Sequence, residues 1–550
     1  MSDNVTTQTT EATQTTQTTR TAQWITATPP TPNGDLHIGH LAGPYLAGDV
    51  LRRFLAAEGT GPVRYTTGLD DHQSYVPVRG INDGGRKGEE VADGYGASIE
   101  AVWSRAGADF DAIVRPRRDV GYQAAVQEFF QRLYDAGHIV ARTAPLPYCT
   151  GCERWLYEAY LKGDCPHCGS GSNGNACEPC GRPNDCADLA NPVCTGCGAT
   201  PELRDCERLY FPLAPWEQQL ADFWEQVDMP PHLRALCEGM RAEGLPEIAV
   251  SHPSEWGVPV PVAGFTEQRI YVWFEMAPGY LLEWTAAGGT GRAPAPVQFF
   301  GFDNGYFHAL LFPAAFRAYD PEIALPKAFV VNEFYRLEGL KFSTSRRHAI
   351  WAHEELARTG ADVLRYHVLA DRPNGRQTSF SSQALEVSRA RLADRWDGWL
   401  GRLLAAVAED TDGVAPAEAP HGPAWERLRD RLAGTVGQLR DAYGIEGYDA
   451  RRAIALLDEI VGLAEDFGHV TGFERERPAG GRAYRAALAA QLAVAAALSA
   501  WAAPALPYGS ARLAGLLALA PEPRRVDVDA LAPLAPGTPV AAWPGAVFSA

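Results

Sequence analysis

Ten of the eleven cysteines fall between Cys149 and Cys206, and eight of them form four Cys-x-x-Cys pairs. Nothing else in the chain restricts the fold as strongly. A Cys-x-x-Cys turn offers two thiolates to one ion, and two such turns complete a tetrahedral zinc site. A disulfide framework would instead predict a short secreted chain with an apolar leader. This chain has 550 residues, and its start, "MSDNVTTQTTEATQTTQTTRTAQ", is Thr/Gln-rich with no apolar stretch. That start reads as a disordered tail. The expectation is a cytoplasmic protein with a zinc-bearing insert. Cys165/Cys168 and Cys177/Cys180 are close enough to form one knuckle. Cys149/Cys152 and Cys194/Cys197 flank it, so a nested second site follows, although spacing alone also permits consecutive pairing. Four thiolates leave no open position for water, which makes such sites structural. Cys186, Cys206 and Cys237 are left as spare thiols.

The length suggests two to four domains. Ala486 to Ala511 is apolar and long enough to span a membrane. It is mostly alanine, however, and Gln491, Ser499, Pro504, Pro507 and Ser510 interrupt it. A buried bundle helix with a proline-broken end is the expectation, with no membrane association. The net charge of −18 argues against a non-specific nucleic-acid coat, and no DNA partner is expected.

Along the chain, "AQWITATPP" reads as a short buried strand closed by prolines. Leu46, Val50 and Phe54 recur at i+4 in a helix that Gly59 ends. "VRYTTGLDDH" reads as a second strand running into a polar loop. Strand, turn, helix, strand begins a doubly wound parallel sheet. "AAVQEFFQRLYDAGHIV" is an amphipathic helix followed by a strand. Residues 145 to 206 are Gly/Pro/Cys-rich with little periodicity and read as loop-built. "RIYVWFEMAPGYLLEW" and "VQFFGFDNGYFHALLFPAAF" resume the strand-then-helix rhythm. From about Val387 to Leu519 the chain is Ala/Leu/Arg-rich with helical spacing, a bundle. The end is Pro-rich and irregular.

"NGDLHIGH", residues 33 to 40, sits where the first strand turns into a helix. In an α/β sheet, ligands bind at the carboxyl ends of strands, where helix N-termini point free N–H groups outward. Gly34 and Gly39 carry no side chain to block an anion. His37 and His40 can donate to phosphate oxygens or simply cap the helix.

"HIGH" resembles the HIGH signature of class I aminoacyl-tRNA synthetases, and "KFSTSR", Lys341 to Arg346, resembles their KMSKS signature. "GLDDH", "YVWFEMAPGY", "FFGFDNGYFHALLFPA" and the insert with four Cys-x-x-Cys pairs are similar to segments of methionyl-tRNA synthetases. The resemblance spans about Trp24 to Arg372 and fades into general helical character to about residue 520. It implies a Rossmann-type α/β catalytic domain with a zinc-knuckle connective insert, then an α-helical bundle domain. The implied divisions are 1–22 disordered tail, 23–120 first catalytic half, 121–235 connective insert, 236–320 second catalytic half, 321–384 linker with the KMSKS-like loop, 385–520 helical anticodon-binding-like domain and 521–550 irregular tail.

The resemblance also implies the chemistry. An amino-acid carboxylate attacks the α-phosphate of ATP, with Mg2+, and the acyl group then passes to the 3′ end of tRNA. His37 and His40 would contact the phosphates, and Lys341, Ser343 and Ser345 would close over the β- and γ-phosphates. Asn33, Gly34, Gly39, Asp303 and Asn304 would line the ATP site. Asp70 would hold the substrate ammonium, with Thr28, Pro29, Trp273, Tyr280 and His308 forming the amino-acid pocket. Two structural Zn2+ are implied, and members pair the cysteines in the nested way. A monomer is expected.

Three departures stand out. Thr344 replaces the second lysine of KMSKS, a source of transition-state charge. The usual "ALPY" lead-in to the first signature is "TPPT", so Pro29 and Thr31 replace a leucine and a tyrosine of the methionine pocket. The helical domain lacks the anticodon-reading pattern: "ADRWDGWLGRLLAA" and "VTGFERERP" stand in its place. Trp396, Trp399, Arg395 and Arg402 can meet nucleic acid or serve as packing aromatics and a solvated face, and packing is favoured. Two enzyme readings follow: a divergent methionyl enzyme, or a specialised paralogue charging tRNA with a related amino acid for tRNA-dependent peptide biosynthesis. A regulator that kept tRNA or adenylate binding without catalysis is the non-enzyme alternative.

Overall fold

The computed structural model describes residues 21–338, 349–472, 481–520 and 523–550, and the backbone of 340–341. The disordered-tail expectation therefore falls outside the described residues for 1–20, as does the KMSKS-like loop from 342 to 348.

The centre is a five-stranded parallel sheet of β1 (Gln23–Ala27), β2 (Val63–Gly68), β3 (Ala112–Val114), β4 (Val297–Gly301) and β5 (Ala328–Asn332). Its order is β5-β4-β1-β2-β3, that of a doubly wound nucleotide-binding fold. β1 is paired on both edges and covered on both faces, which is why "WITA" is a continuous buried run and not an alternating one. The helix Leu46–Glu58 ends at Gly59, whose φ of 63° supplies the left-handed cap. Within that helix a Cβ on Gly48 would sit 2.6 Å from the Tyr65 ring, so glycine sets the close helix–sheet approach.

Residues 145–206 depart from the loop-built expectation. Val140–Cys149 and Glu202–Pro212 form a long antiparallel pair, joined at one edge by Glu247–Ala249 and at the other by Arg154–Trp155. Leu161–Asp164, Gly171–Asn173 and Ala190–Cys194 form a second small sheet. Both are exposed on most of one side, so polar residues and Cys/Gly turns mask the period-two signal. The strand Gln268–Ile270 pairs antiparallel with Ser251–Pro253 instead of joining the central sheet.

The C-terminal part of the chain is helical from Ser382–Arg391 to Pro507–Leu516. Gly481–Trp501 is apolar enough to cross a membrane by length and composition, but 83% of its apolar window is buried in the bundle. Trp396 and Trp399 are buried packing residues, with their Nε1–H groups donated to Asp458 at 2.9 Å and Gln491 at 3.2 Å. Arg395 and Arg402 both pair with Glu465. The Pro-rich end is irregular apart from one turn at Val528–Leu531, yet it buries Val547 and Phe548 completely. Asp397 holds it by accepting from the Phe548 and Ser549 backbone N–H groups at 2.9 and 3.0 Å.

Arg365, on the helix Ala361–Ala370, ties the halves together. Its guanidinium is fully buried and donates to Asp49 on the helix after the HIGH turn (2.7 Å), to Ala106 and Gly107 (3.1 and 3.2 Å), and to Pro504 and Ala505 (3.2 and 2.7 Å).

Candidate active site

Strand order reverses between β1 and β4, and a cleft of about 460 Å³ opens at their carboxyl ends. Thr28 and Pro29 leave β1 directly into it, and the turn Asn33-Gly34 follows. The chain then enters the helix at His37. Pro44 removes one backbone donor and the first turn widens into a π-type turn over Leu41–Tyr45. This places Gly39 and both histidines on the cleft wall.

His37 and His40 stack with ring centroids 3.8 Å apart. The His37 backbone N–H donates to His40 Nδ1 at 3.2 Å, so the neutral His40 imidazole carries its proton on Nε2. The same segment is pinned to the far side of the second signature. His37 bridges Trp351, the Ile38 N–H donates to the Ile350 carbonyl at 3.1 Å, and the Ala352 N–H to the Leu36 carbonyl at 2.9 Å. The backbone of Lys341 pairs with Arg336 in a short hairpin. Ser343, Thr344 and Ser345 lie outside the described residues.

Asp70 follows β2 and is 3% exposed. Its backbone N–H donates to the Pro30 carbonyl at 3.0 Å, and its Oδ2 accepts from Thr31 Oγ1 at 3.0 Å. Its Oδ1 is buried with no hydrogen-bond partner among the described residues. Burial pushes its pKa well above the ordinary carboxylate range, and the nearby carboxylates Glu158, Glu275 and Asp71 add to this. A buried acceptor short of one donor is suited to an ammonium ligand, which would restore the charged form.

Trp273 opens the helix Val272–Ala286 and stacks on Phe307 at 3.9 Å, facing the cleft. Tyr280 and His308 are not on the cleft surface. They lie buried behind it with ring centroids 5.6 Å apart. His308 stacks on Phe300 at 4.0 Å and its Nδ1 bonds Gln298 Oε1 at 3.1 Å. Burial lowers its pKa to about 3, so it is neutral. Asp303 and Asn304 occupy the turn after β4 and line the cleft, and burial raises Asp303 to about 6.

Sequence reasoning missed Glu158. It lies in "LYEAY", inside the stretch read as loop, and no period or motif marks it. Its backbone holds a left-handed φ of 41°, a costly conformation for a residue with a Cβ. Its carboxylate is buried in the cleft wall beside Asp70, accepts from Ser74 Oγ at 3.0 Å, and is raised to about 7 by burial.

The cysteines group in the nested way. Cys149, Cys152, Cys194 and Cys197 form one set and Cys165, Cys168, Cys177 and Cys180 the other, with the sulfurs of each set within 4.8 Å of one another. Sulfurs about 2.3 Å from a tetrahedral zinc lie about 3.8 Å apart. Separations of 3.4 and 3.8 Å in the first set, and 3.9 and 3.6 Å in the second, fit that ion. Cys186, Cys206 and Cys237 are buried thiols outside both sets.

A doubly wound sheet with a HIGH turn at its switch point defines the class I aminoacyl-tRNA synthetase architecture. Residues 23–404 match the family model for tRNA synthetases class I (M). The chain is 32% identical over 448 residues to the methionine–tRNA ligase of Thermomicrobium roseum, covering 78% of this chain and 76% of that one. It is 30% identical over 463 residues to that of Bacillus cereus, covering 82% of each. A solved structure of Mycobacterium tuberculosis methionyl-tRNA synthetase in complex with methionyl-adenylate shares the fold, with a TM-score of 0.79 over 94% of this chain and 98% of that one at 22% identity. The chain belongs to the tRNA synthetases class I (M), and is a class I aminoacyl-tRNA ligase of the methionine–tRNA ligase kind.

Proposed function

We propose that this chain activates methionine with ATP and transfers it to the 3′ end of tRNA. The observation that carries this reading is the convergence, in one switch-point cleft, of the stacked His37/His40 pair with the donor-deficient Asp70 and the Trp273 wall. Asp70 takes the substrate ammonium through Oδ1. Trp273 and Phe307 flank the side chain, and neutral His308 with Tyr280 backs it, an aromatic surface suited to a polarizable thioether. The carboxylate oxygen then attacks the α-phosphorus of ATP as the bond to pyrophosphate breaks. His40 and His37 donate to the phosphoryl oxygens in that in-line transition state. Asn33, Gly34 and Gly39 admit the nucleotide, Asp303 and Asn304 meet its ribose, and Lys341, Ser343 and Ser345 close over its terminal phosphates with Mg2+. A ribose hydroxyl of the tRNA terminal adenosine then displaces AMP.

Thr31 supports a second reading. Its hydroxyl bonds Asp70 where the family resemblance expects a tyrosine, so the pocket is remodelled at the ammonium site. A related amino acid, charged for a separate pathway, fits that change. Charging assays with radiolabelled methionine and methionine tRNA decide: stable esterification supports the primary reading, and charging only with an analogue supports the second.

Two predictions arise here. Asp70→Asn should raise KM for methionine by about 30- to 100-fold, the loss of one charge-assisted bond, with KM for ATP nearly unchanged. Equal KM values for methionine in variant and parent would remove Asp70 from that role. The two cysteine sets should each hold one structural zinc. Elemental analysis of the purified protein should give close to two zinc per chain, and a content of one would refute two independent sites.

A further inference from the structure

The central sheet delivers the polar groups of the cleft in a fixed order. Asp70 follows β2, the His37/His40 turn follows β1, Asp303 and Asn304 follow β4, and Glu333 follows β5. All of them line one cleft. β2, β1, β4 and β5 are neighbours in that sequence, and adjacent strands stand about 4.8 Å apart. An ammonium at Asp70 and phosphates at the histidines thus place the ribose at the end of β4 and the base at the end of β5. The register keeps the last step short: Gly301 pairs with Asn332, so Glu333 emerges beside the turn Phe302–Asn304.

The Glu333 side chain is 17% exposed and held from two sides. Its Oε1 stands 2.9 Å from His232 Nε2, at the start of the helix Pro231–Glu243. Its backbone N–H donates to the Pro373 carbonyl at 2.8 Å. A carboxylate offers about four acceptor positions, so contact with one imidazole leaves it able to accept from a ligand. Glu333 is also close enough to Asp303 for its charge to add to the burial that raises that carboxyl. This end of the cleft is therefore acidic. It repels a triphosphate toward the histidines and favours a base whose edge carries a hydrogen-bond donor. Adenine has such an edge, because its 6-amino group donates.

We propose that the Glu333 carboxylate accepts from the 6-amino group of ATP and makes the cleft selective for adenine. The proposal rests on the ATP-activation reading above and adds to it a side chain that reads the base. His232 is a positioning residue, which holds that carboxylate at the end of β5.

The test is equilibrium binding of ATP and of purine riboside triphosphate, which is ATP without the 6-amino group. The parent is compared with Glu333→Ala and with Glu333→Gln, which keeps a neutral acceptor. The parent should bind ATP about 10- to 100-fold more tightly than the analogue, as for one charge-assisted contact to a base edge. Glu333→Ala should bind ATP only as tightly as the analogue, whose own affinity should change little. Glu333→Gln should retain part of the preference. A purely structural contact between Glu333 and His232 would weaken both nucleotides alike in Glu333→Ala, and that result overturns the proposal. So does an undiminished preference for ATP in Glu333→Ala, or no preference in the parent. Failure of the parent to bind ATP at all overturns both this proposal and the reading it rests on. Absence of methionine-dependent ATP–pyrophosphate exchange in a parent that still prefers ATP would count against the amino-acid reading alone.

Discussion

Replacing His40 by alanine should slow methionine-dependent ATP–pyrophosphate exchange by at least about 100-fold, the scale of one lost transition-state donor in a preorganised site. The effect originates in the tautomer of His40. His40 Nδ1 accepts from the His37 backbone, which places the proton on Nε2, the atom that can donate to a phosphoryl oxygen. The ring's position is set by stacking on His37 and by backbone bonds from the HIGH turn to Ile350 and Ala352. Those bonds are main-chain and survive the substitution, so the thermal midpoint should move little. Gln places an amide nitrogen near the lost Nε2, and His40→Gln should recover part of the rate. KM for methionine should stay near the parent value, because the lost contact forms in the transition state. Full exchange by a folded His40→Ala protein would assign the histidines to helix capping.

The largest expected effect on stability is at Arg365. Replacing it by methionine removes all five of its donated bonds and leaves the buried Asp49, among the described residues, with Arg53 at 2.9 Å and the Asp109 backbone N–H at 3.3 Å. Breaking one side of a buried ion pair costs about 3–5 kcal/mol. The four carbonyls it serves come from the end of the helix Gly88–Ala106 and from the segment after Gly481–Trp501, so docking of the bundle onto the catalytic half should weaken as well. Urea unfolding should show either a large fall in midpoint or the separation of one transition into two. Asp49→Asn in the Arg365→Met background should return part of the loss, because the buried carboxylate that has lost one of its two cationic partners is then gone. A change below about 1 kcal/mol, the range of exposed ion pairs, would show that the guanidinium is not the link described.

Local features of the sequence located most of the catalytic framework. Strand β1 announced itself by a continuous apolar run ended by prolines, the following helix by Leu46, Val50 and Phe54, and the site by a turn with two histidines at a strand–helix junction. The order β5-β4-β1-β2-β3 was not legible, because β1 and β4 are separated by some 270 residues of intervening chain and no local signal encodes which distant strand pairs with which. The nested grouping of cysteines is likewise a tertiary fact, since the spacing permitted two pairings and the long Val140–Cys149/Glu202–Pro212 ladder brings the outer two pairs together. Only the start of the first strand, at "HIV", was legible, because one face of the pair is largely solvated and the cysteine turns interrupt the alternation. Glu158 and the Thr31–Asp70 bond were hidden for the same reason. Each becomes meaningful only when loops far apart in the chain meet at one cleft. Trp396 and Trp399 show the converse: aromatic and basic residues in one helix resemble a nucleic-acid face, and burial against Asp458 and Gln491 assigns the tryptophans to packing.

The central claim is that one cleft couples an ammonium-binding Asp70 to a phosphate-binding histidine pair to make methionyl-adenylate. ATP–pyrophosphate exchange by the purified full chain tests it most directly, run separately with each of the twenty standard amino acids and with homocysteine. Label exchange should depend on methionine and saturate with it. Exchange driven by a different amino acid, or none with any of them in the presence or absence of tRNA, would contradict it.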